Sequence, residues 1–330
     1  MIVLDFSNQK FDSLHLENEW EREISVFLDQ WNSDSDFVLA KTSGSTGLPK
    51  EIKLAKSAMR MSAQMTGEFF GLKNGNSALL CLPMGFIAGK MMVVRAQELG
   101  LKLYCTEPKS EINLHDFPEL DFVPMTPMQV EKSMASLGKI KTLLIGGAPL
   151  SDELRSRLLE TNTRVFESYG MTETITHIGL KEITEDYFRT LKKVKIRKDE
   201  RGCLVIQTPY FEEEITTNDL VEMKGENQFK WLGRFDSIIN SGGIKLIPEQ
   251  IEQKLKTIIS HEFILSSFPD ATLGEKLILI LENPEPIDVD FASLELSKYE
   301  IPKEIFYLNR FPRTESGKLK RKEILAQIKK

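Results

Sequence analysis

The segment TSGSTGLPK, residues 42 to 50, places hydroxyl side chains, two glycines and a lysine close together. Backbone N–H groups that glycine leaves accessible can converge on an anion, and Ser and Thr hydroxyls add further donors. A lysine at the end of such a loop adds a positive charge. The segment therefore predicts a polyphosphate-binding loop, although a flexible turn explains these residues almost as well when they are considered alone.

The spacing of this loop differs from that of the P-loop found in nucleotide phosphotransferases. The P-loop has four residues between its glycines and then a Gly-Lys-Ser/Thr sequence. Here Gly44 and Gly47 are closer together, and Lys50 follows a proline. The spacing therefore disfavours an ordinary P-loop phosphotransferase.

Four further segments follow the loop, and all five resemble known motifs in the same order. These segments are IGGAPL (145 to 150), ESYGMTET (167 to 174), WLGRFDSIINSGGIKLIPEQIE (231 to 252) and PRTESGKLKR (312 to 321). They resemble the core motifs of the adenylate-forming superfamily, which includes acyl-CoA synthetases, nonribosomal adenylation domains and luciferases. Because five separate motifs match in sequence order, the resemblance is specific.

The resemblance implies an ATP site at the first three motifs. Gly146, Gly147 and Ala148 would lie against one face of adenine, and Tyr169 would stack on the other. Glycine permits a close approach of the backbone, and a flat ring offers stacking area. Packing in the core is the alternative for Tyr169. In relatives the first loop holds the β- and γ-phosphates, which here implies Thr42, Ser43, Gly44, Ser45, Thr46, Gly47 and Lys50.

The resemblance also implies the groups that carry the chemistry. Thr172 resembles the contact to the α-phosphate, and Glu173 resembles the carboxylate that helps to hold Mg²⁺, a cation that prefers oxygen ligands. Lys318 resembles the catalytic lysine that reaches the reacting carboxylate and the α-phosphate. A solvated lysine in a basic tail is the alternative for Lys318, and the preceding PRTESG sequence favours the catalytic role.

Further motif positions imply the ribose contact and the conformational step. Asp219 would accept the ribose hydroxyls with help from Arg234, and Asn218 stands where relatives have glycine. Because Asn tolerates a positive φ, we expect the turn at this position to persist. Asp236 resembles the hinge of a mobile domain. Two adjacent glycines resemble the segment that approaches the attacking thiol of CoA, namely Gly242 and Gly243.

The segment LPMGFIAGK predicts the acyl pocket. Phe86 stands where many relatives have histidine, which makes this part of the pocket apolar. A substrate with a second carboxylate needs a cation, because a buried unpaired charge is costly. Lys90 and Arg95 are the candidates, and His177 is a further candidate for the pocket lining. Solvated helix charges are the alternative for Lys90 and Arg95, and an ordinary strand residue is the alternative for His177.

The elements that position these residues alternate in type. Apolar periodicity predicts helices at 13–31, 57–70, 87–99, 127–137 and 151–160, and strands at 36–40, 77–82, 101–105, 121–125, 142–146 and 164–168. Such alternation is typical of parallel strands covered by helices. The sequence thus predicts an α/β fold with a large N-terminal α/β domain. From about residue 178, short strands and turns predict an additional small β unit.

We expect two domains. Residues 1–235 would bind ATP and the acyl group, and residues 236–330 would form a small, mobile α+β C-terminal domain that carries Lys318. Relatives place a large segment before the phosphate loop, whereas only residues 1–41 precede it here. The resemblance therefore implies a truncated N-terminal subdomain. Short chains of this kind are most similar to the 2-succinylbenzoate–CoA ligases of menaquinone biosynthesis.

Composition limits the partners. A net charge of −6 gives no electrostatic case for nucleic acid, and no long apolar run predicts membrane insertion. The first residues lack a basic segment followed by an apolar one, which favours a cytoplasmic location. Cys81, Cys105 and Cys203 have neither disulfide nor zinc spacing, and we expect buried thiols. The sequence leaves the oligomeric state open.

The resemblance implies an AMP-forming acid–CoA ligase that uses ATP, Mg²⁺, CoA and a small carboxylic acid. An enzyme that loads an acid onto a carrier-protein thiol is an alternative within the same chemistry. A nucleotide-binding regulatory protein that has lost catalysis is an alternative of another class. The presence of Lys318, Glu173, Asp219 and Arg234 favours an active enzyme.

Overall fold

The computed structural model describes residues 1–41, 51–313 and 319–328. The chain divides into two compact units. The first comprises Met1–Ile196, Ile206–Ile215 and Gly225–Gln228, and the second comprises Arg197–Val205, Thr216–Lys224 and Phe229–Lys330. A boundary at Asp236 and the mobility of the residues after it stay predictions.

The first unit contains most of the helices and strands described. Its strands are β1 (Ile2–Asp5), β2 (Lys10–Phe11), β3 (Phe37–Lys41), β4 (Glu51–Ala55), β5 (Ser77–Leu80), β6 (Lys102–Cys105), β7 (Leu120–Met125), β8 (Ile140–Ile145), β9 (Arg164–Gly170), β10 (His177–Glu182) and β11 (Phe188–Thr190). Its helices are α1 (Glu19–Asn32), α2 (Lys56–Phe70), α3 (Ile87–Leu99), α4 (Pro127–Lys132) and α5 (Asp152–Leu159).

A parallel sheet forms the centre of the first unit. Its strands lie in the order β11-β10-β9-β8-β7-β5-β6-β1-β2, and the pairs from β9 to β6 are parallel. Leu120, Val123, Leu143 and Val165 contribute to a buried cluster on this sheet. Because βαβ crossovers cover both faces of such a sheet with helices, the sequences of its strands are almost continuously apolar. The predicted α/β fold is confirmed.

Three predicted elements differ from those in the structure. The helix expected at 127–137 ends at Lys132 and is followed by a 3₁₀ helix, Met134–Lys139. The helix expected at 13–31 begins at Glu19, because the Glu21 carboxylate accepts hydrogen bonds from His15 N at 2.6 Å and Asn18 Nδ2 at 2.7 Å. These bonds hold the preceding residues in a turn. Strand β3 does not join the central sheet but pairs antiparallel with β4 in a separate two-stranded sheet.

The carboxyl ends of the parallel strands gather the predicted motifs at one edge of the sheet. The segment before α3 follows β5, Gly146 follows β8, and Gly170 ends β9. In open parallel sheets, ligands bind outside this edge. The topology therefore places three of the predicted motifs where a ligand site is expected.

The chain from Lys195 onward is richer in antiparallel strands. Its elements are β12 (Lys195–Lys198), β13 (Cys203–Gln207), β14 (Ile215–Lys224), β15 (Gln228–Arg234), β16 (Ile239–Ser241), β17 (Ile244–Leu246), α6 (Pro248–Leu255), β18 (Phe263–Asp270), β19 (Gly274–Glu282), β20 (Glu304–Leu308) and α7 (Arg321–Ile328). Strands β12 to β15 are neighbours in chain order. They match the small β unit predicted from the turn residues.

Strand β19 is buried on both faces. Leu277 and Leu279 pack in one cluster with Ile251 and Leu255 of α6. Ile278 and Ile280 pack in another cluster with Ile324 of α7. Successive strand residues point to opposite faces, so the run LILIL supplies both layers.

Two features concern composition. Cys81, Cys105 and Cys203 are free and buried, as predicted. None of the helices in the described part of the chain is long and apolar enough to span a membrane.

Candidate functional site

The predicted adenine-binding residues lie on neighbouring parallel strands of the first unit. Ile145 of β8 pairs with Glu167 of β9, so Gly146 comes beside Ser168. A Cβ on Gly146 would lie 2.5 Å from Ser168 Oγ, which itself donates to Ile145 O over 3.0 Å. Only glycine fits this position without displacing Ser168. The missing side chain leaves room for the Ser168 hydroxyl, and the contact of Gly146 with adenine stays a prediction.

Tyr169 lies one residue further along β9 and is half-buried. Its ring centroid is 5.9 Å from that of Phe188, with an interplanar angle of 55°. An aromatic ring held at one edge by a second ring retains area for stacking. The stacking role of Tyr169 stays a prediction, as do the roles of Gly147 and Ala148, which are both exposed.

The YGMTET motif continues as a short 3₁₀ helix, Thr172–Thr174. Thr172 is half-buried and Glu173 is exposed. Ile175 then adopts φ 64° and ψ −58°, and Thr176 N donates to Thr174 O over 2.7 Å. This γ-turn with a positive φ is rare for a β-branched residue and costs backbone strain.

Glu173 can offer oxygen ligands to a metal ion. In the described ranges, no group of three or more His, Cys, Asp or Glu side chains is placed to hold a metal. A single protein carboxylate fits Mg²⁺, because this ion keeps several waters and takes the remaining ligands from substrate phosphates. The donor set is therefore compatible with the predicted metal.

Arg95 is buried in α3, with 2% of its surface exposed. Its Nη2 donates to Thr176 Oγ1 over 3.0 Å, and its Nη1 lies 3.5 Å from Met92 Sδ. Nε is buried and has no hydrogen-bond partner in the part of the chain that the structure describes. Burial lowers the pKa of the guanidinium to about 10, so it is still charged at neutral pH.

His177 lies beside Arg95 and is also buried. Its Nε2 is 3.0 Å from Thr66 Oγ1 on α2, and its Nδ1 is 3.4 Å from Thr176 Oγ1. Burial, and secondarily the charge of Arg95, lower the pKa of His177 well below its usual value. The ring is therefore neutral at physiological pH. The structure brings Arg95 and His177 together on the Thr176 hydroxyl, and their role in an acyl pocket stays a prediction.

Lys90 lies on the same helix as Arg95 but has different surroundings. Helix α3 has the predicted bounds, with half-buried Phe86 as its N-cap. Lys90 Nζ lies 5.0 Å from the centroid of the Phe27 ring on α1. Residues five positions apart on a helix are rotated by about 140° around its axis, so Lys90 and Arg95 point in different directions. The contacts favour Arg95 over Lys90 as the carboxylate-binding cation.

Asp219 and Arg234 of the second unit are neighbours, as predicted. Asp219 is buried in β14, accepts from Trp231 Nε1 at 3.2 Å and lies 3.7 Å from Arg234 Nη1. The turn expected at Asn218 was wrong. This residue lies inside β14 without a positive φ, and its Oδ1 accepts from Arg201 Nη1 at 2.9 Å. Strand pairing outweighs the local turn tendency.

The predicted thiol-approach segment is a two-residue hairpin turn. Gly242 and Gly243, with φ of 59° and 79°, connect β16 to β17. Positive φ at both central residues is typical of the type I′ turn that joins antiparallel strands. The role of this turn in the thioester step stays a prediction.

Several predicted residues lie outside the described ranges. They are the catalytic lysine, Lys318, and the phosphate-loop residues Thr42, Ser43, Gly44, Ser45, Thr46, Gly47 and Lys50. Their roles stay predictions that rest on the motif resemblance.

Thr176, Thr66 and Trp231 contact predicted site residues within their own units but were not predicted from the sequence. Thr176 lies two positions after the YGMTET motif, and this proximity was the sequence signal that could have identified it. Thr66 lies 111 residues before His177, and no local pattern links the two. Trp231 stands within the predicted WLGRFD motif, although its bond to Asp219 depends on the pairing of two strands.

Comparison with known families identifies the class of protein. Residues 1–199 match the model of the AMP-binding enzyme family. The chain belongs to this family. The predicted enzyme class, an AMP-forming acid–thiol ligase of the adenylate-forming superfamily, is therefore confirmed.

The most similar curated proteins include several 2-succinylbenzoate–CoA ligases. The Bacillus subtilis (strain 168) protein is 26% identical over 359 residues, covering 95% of this chain and 73% of that protein. The Bacillus cytotoxicus protein is 24% identical over 350 residues, covering 91% of this chain and 72% of that protein. These names agree with the predicted subgroup.

Solved structures support the same fold. An acyl-CoA synthetase (AMP-forming)/AMP-acid ligase II-like protein from Dyadobacter fermentans is 34% identical, covers 96% of both chains and has a TM-score of 0.65. The O-succinylbenzoate Coenzyme A synthetase (MenE) from Bacillus subtilis, in complex with ATP and magnesium ion, is 22% identical. It has a TM-score of 0.75 and covers 87% of this chain and 69% of its own. At this identity, the second comparison shows the fold alone.

Proposed function

We propose that this protein is an ATP-dependent acid–CoA ligase that converts 2-succinylbenzoate to 2-succinylbenzoyl-CoA in menaquinone biosynthesis. The family match over residues 1–199 supports the reaction class. The names of the curated relatives support the acid and the CoA acceptor. The complex of the Bacillus subtilis relative supports ATP and magnesium.

The buried guanidinium of Arg95 carries the proposal of a dicarboxylic substrate. No described carboxylate pairs with it, and its hydrogen bonds go to two uncharged groups, the Thr176 hydroxyl and Met92 Sδ. A buried charge without a counter-ion is costly, so an anionic ligand stabilises this arrangement. 2-Succinylbenzoate has one carboxylate that reacts and one on the ring. We assign the ring carboxylate to Arg95, with Phe86 and His177 as further lining of the pocket.

The first half-reaction joins the succinyl carboxylate to the α-phosphorus of ATP and releases pyrophosphate. Both reactants are anionic, so the site must offset their charges. Thr172 would donate to the α-phosphate, and Lys318 would contact both reacting groups. Glu173 would hold Mg²⁺, which supplies charge neutralisation at the phosphates when bound. Tyr169 and Gly146 would hold adenine, and Asp219 with Arg234 would hold the ribose.

The second half-reaction transfers the acyl group from the adenylate to the thiol of CoA. The C–S bond forms as the acyl–phosphate bond breaks, and AMP and the thiol proton are released. We assign the approach of the thiol to the Gly242–Gly243 turn. Asp236 is the proposed hinge about which residues 236–330 would withdraw Lys318 and present this turn. A conformational step of this kind lets one site complete two reactions in sequence. A cytoplasmic location and the absence of a nucleic-acid partner stay predictions.

The test is pyrophosphate release by the purified protein with ATP and Mg²⁺, with and without CoA. The acids are 2-succinylbenzoate, 3-benzoylpropionate, which lacks the ring carboxylate, and succinate. We expect 2-succinylbenzoate to give the highest kcat/KM, 3-benzoylpropionate to react with a lower kcat/KM, and turnover to require CoA. A higher kcat/KM with another acid retains the reaction class but contradicts the substrate. Pyrophosphate release without CoA-dependent turnover favours a carrier-protein acceptor. Binding of ATP without pyrophosphate release from any of the acids favours a regulatory protein.

A further inference from the structure

Arg95 belongs to a chain of buried hydrogen bonds whose directions can be assigned. The Thr66 hydroxyl donates its only hydrogen to Ser62 O over 3.0 Å on α2. Its oxygen must therefore accept at the 3.0 Å contact with His177 Nε2, because a hydroxyl has a single donor. The proton of the His177 ring consequently lies on Nε2.

The other ring nitrogen fixes the orientation of Thr176. In a neutral ring with Nε2 protonated, Nδ1 is an acceptor. The Thr176 hydroxyl, 3.4 Å away, donates to it in the longest bond of the chain. The lone pairs of Thr176 then face Arg95, whose Nη2 donates to Oγ1 over 3.0 Å. A charged His177 ring, or the neutral tautomer protonated at Nδ1, would place a donor opposite Thr176 instead.

The backbone holds this arrangement through a second set of bonds. The γ-turn at Ile175 immediately precedes Thr176, and Ile175 is fully buried. The carbonyl of Thr174 accepts from Thr176 N at 2.7 Å and from Tyr210 Oη at 2.8 Å. Strained turns persist where their surroundings fix them, and they are concentrated at functional sites. The only described ionisable groups in these bonds are Arg95, His177 and Tyr210, and Arg95 carries the one charge.

We propose that Thr176 and His177 are positioning residues that hold the Nη2 end of Arg95, so that its unpaired Nε faces the ring carboxylate of the acid. The inference rests on the proposed function, since that function assigns the carboxylate to Arg95. It adds that the affinity of the guanidinium for the acid depends on the bond chain from Ser62 through Thr66, His177 and Thr176. A free arginine side chain would lose more rotamer entropy when it binds the acid.

The kinetic test compares two acids that differ only in the ring carboxylate. Thr176→Val keeps the shape of the side chain but removes the oxygen that accepts from Arg95. We expect the ratio of KM for 2-succinylbenzoate to KM for 3-benzoylpropionate to rise about tenfold, as for the loss of a hydrogen bond to a charged group. Thr176→Ser retains the oxygen, and we expect the ratio to return to within about threefold of the original. An unchanged ratio in Thr176→Val would overturn the proposal.

Arg95→Ala separates failure of this inference from failure of the proposed function. If Arg95→Ala leaves the KM ratio unchanged, Arg95 does not bind the carboxylate and the assignment in the proposed function is wrong. If Arg95→Ala raises the ratio while Thr176→Val does not, the substrate assignment is retained and the positioning role is overturned. A rise of the KM ratio in both variants supports both the substrate assignment and the positioning role.

A spectroscopic test does not depend on turnover. In protein labelled with ¹⁵N-histidine, the signal of His177 can be assigned by its loss in His177→Phe. We expect a neutral ring protonated at Nε2, unchanged between about pH 7.5 and 6, where exposed histidines titrate. A ring protonated at Nδ1, or charged at pH 7, would contradict the chain of bonds. Comparison of the spectra of Thr176→Val and Thr176→Ser should show a shift of Nδ1 only in the valine variant.

Discussion

Arg234 donates through Nε and Nη2 to the two carboxylate oxygens of Asp236, over 2.9 and 3.0 Å. Its Nη1 lies 3.7 Å from Asp219 Oδ1. The hydrogen bonds from Arg234 lower the pKa of the Asp236 carboxyl. One guanidinium thus links the proposed hinge residue to the proposed ribose contact, and these two roles share a single charge.

Replacing Arg234 should weaken ATP binding. Arg234→Gln leaves two nearby carboxylates without their shared cation, so we expect KM for ATP to rise about tenfold or more. We expect a much smaller change in KM for the acid. Arg60→Gln is the matched control, because Arg60 pairs with Glu98 over 3.1 Å and lies outside the five motifs. Equal effects of the two substitutions on KM for ATP would contradict the shared role.

The stability of the protein should fall as the pH falls below about 6.5, because of His177. Its pKa is lowered in the folded state, whereas in the unfolded chain it protonates near pH 6.5. Protons are then bound preferentially by the unfolded chain, so the stabilisation present above pH 6.5 is lost as the pH falls toward the folded-state pKa. We expect Tm of His177→Asn to depend less steeply on pH between 7.5 and 5.

His115 provides the control for this measurement, since its side chain is 87% exposed. His115→Asn should retain the pH dependence of the original protein. If both substitutions leave the slope of Tm against pH unchanged, the neutral state of His177 contributes nothing to folding.

Glu249 in α6 should destabilise the folded state when it is ionised. Burial raises the pKa of this carboxyl, and its Oε2 has no hydrogen-bond partner among the described residues. The folded state therefore favours the protonated form, and stability is lost as the pH rises from about 4.5 through the raised pKa. We expect Glu249→Gln to raise Tm at pH 7.5 and to have a smaller effect near pH 4.5.

The exposed turn residue Glu226 serves as the comparison for Glu249. Glu226→Gln removes the same charge without relieving burial, and its Tm should stay close to that of the original protein at both pH values. A Glu249→Gln variant less stable than the original protein at pH 7.5 would show that the carboxylate is paired in solution.

The two glycines of the β16–β17 turn should differ in their tolerance of alanine. Both have positive φ, so both substitutions incur backbone strain. A Cβ on Gly242 would also lie 2.6 Å from Tyr299 Cε1, whereas nothing lies within 4 Å of a Cβ on Gly243. We expect Gly242→Ala to lower the free energy of unfolding by about 1–3 kcal/mol more than Gly243→Ala, measured by urea denaturation.

Tyr299→Leu allows a direct check on the cause of that difference. Combined with Gly242→Ala, it should recover most of the additional loss, because the clash is with the aromatic ring. Additive effects of the two substitutions would show that the ring is not the obstacle.

Lys318→Ala should separate the two half-reactions. The resemblance assigns this residue to adenylate formation, so we expect pyrophosphate release to fall at least about a hundredfold. Transfer to CoA from a supplied acyl adenylate should be largely retained. Equal losses in both half-reactions would contradict the role of the lysine.

Much of the fold was predictable because apolar periodicity is local. Helix α3 has the predicted bounds, and strands β7, β8 and β9 lie within two residues of theirs. The pairing of β3 with β4 was not predicted. Periodicity indicates that a segment is a strand, but its partner depends on pairing between separate segments of the chain.

The sequence by itself determined the family, the order of the motifs and the residue types that the chemistry needs. These depend on short stretches in which neighbours in the chain are also neighbours in space. Only the tertiary structure decided that Arg95 meets Thr176, that Thr66 reaches His177, and that Lys90 lies over Phe27 instead. Burial and hydrogen-bond direction arise where distant segments pack together, and these determine which charge is available to a substrate.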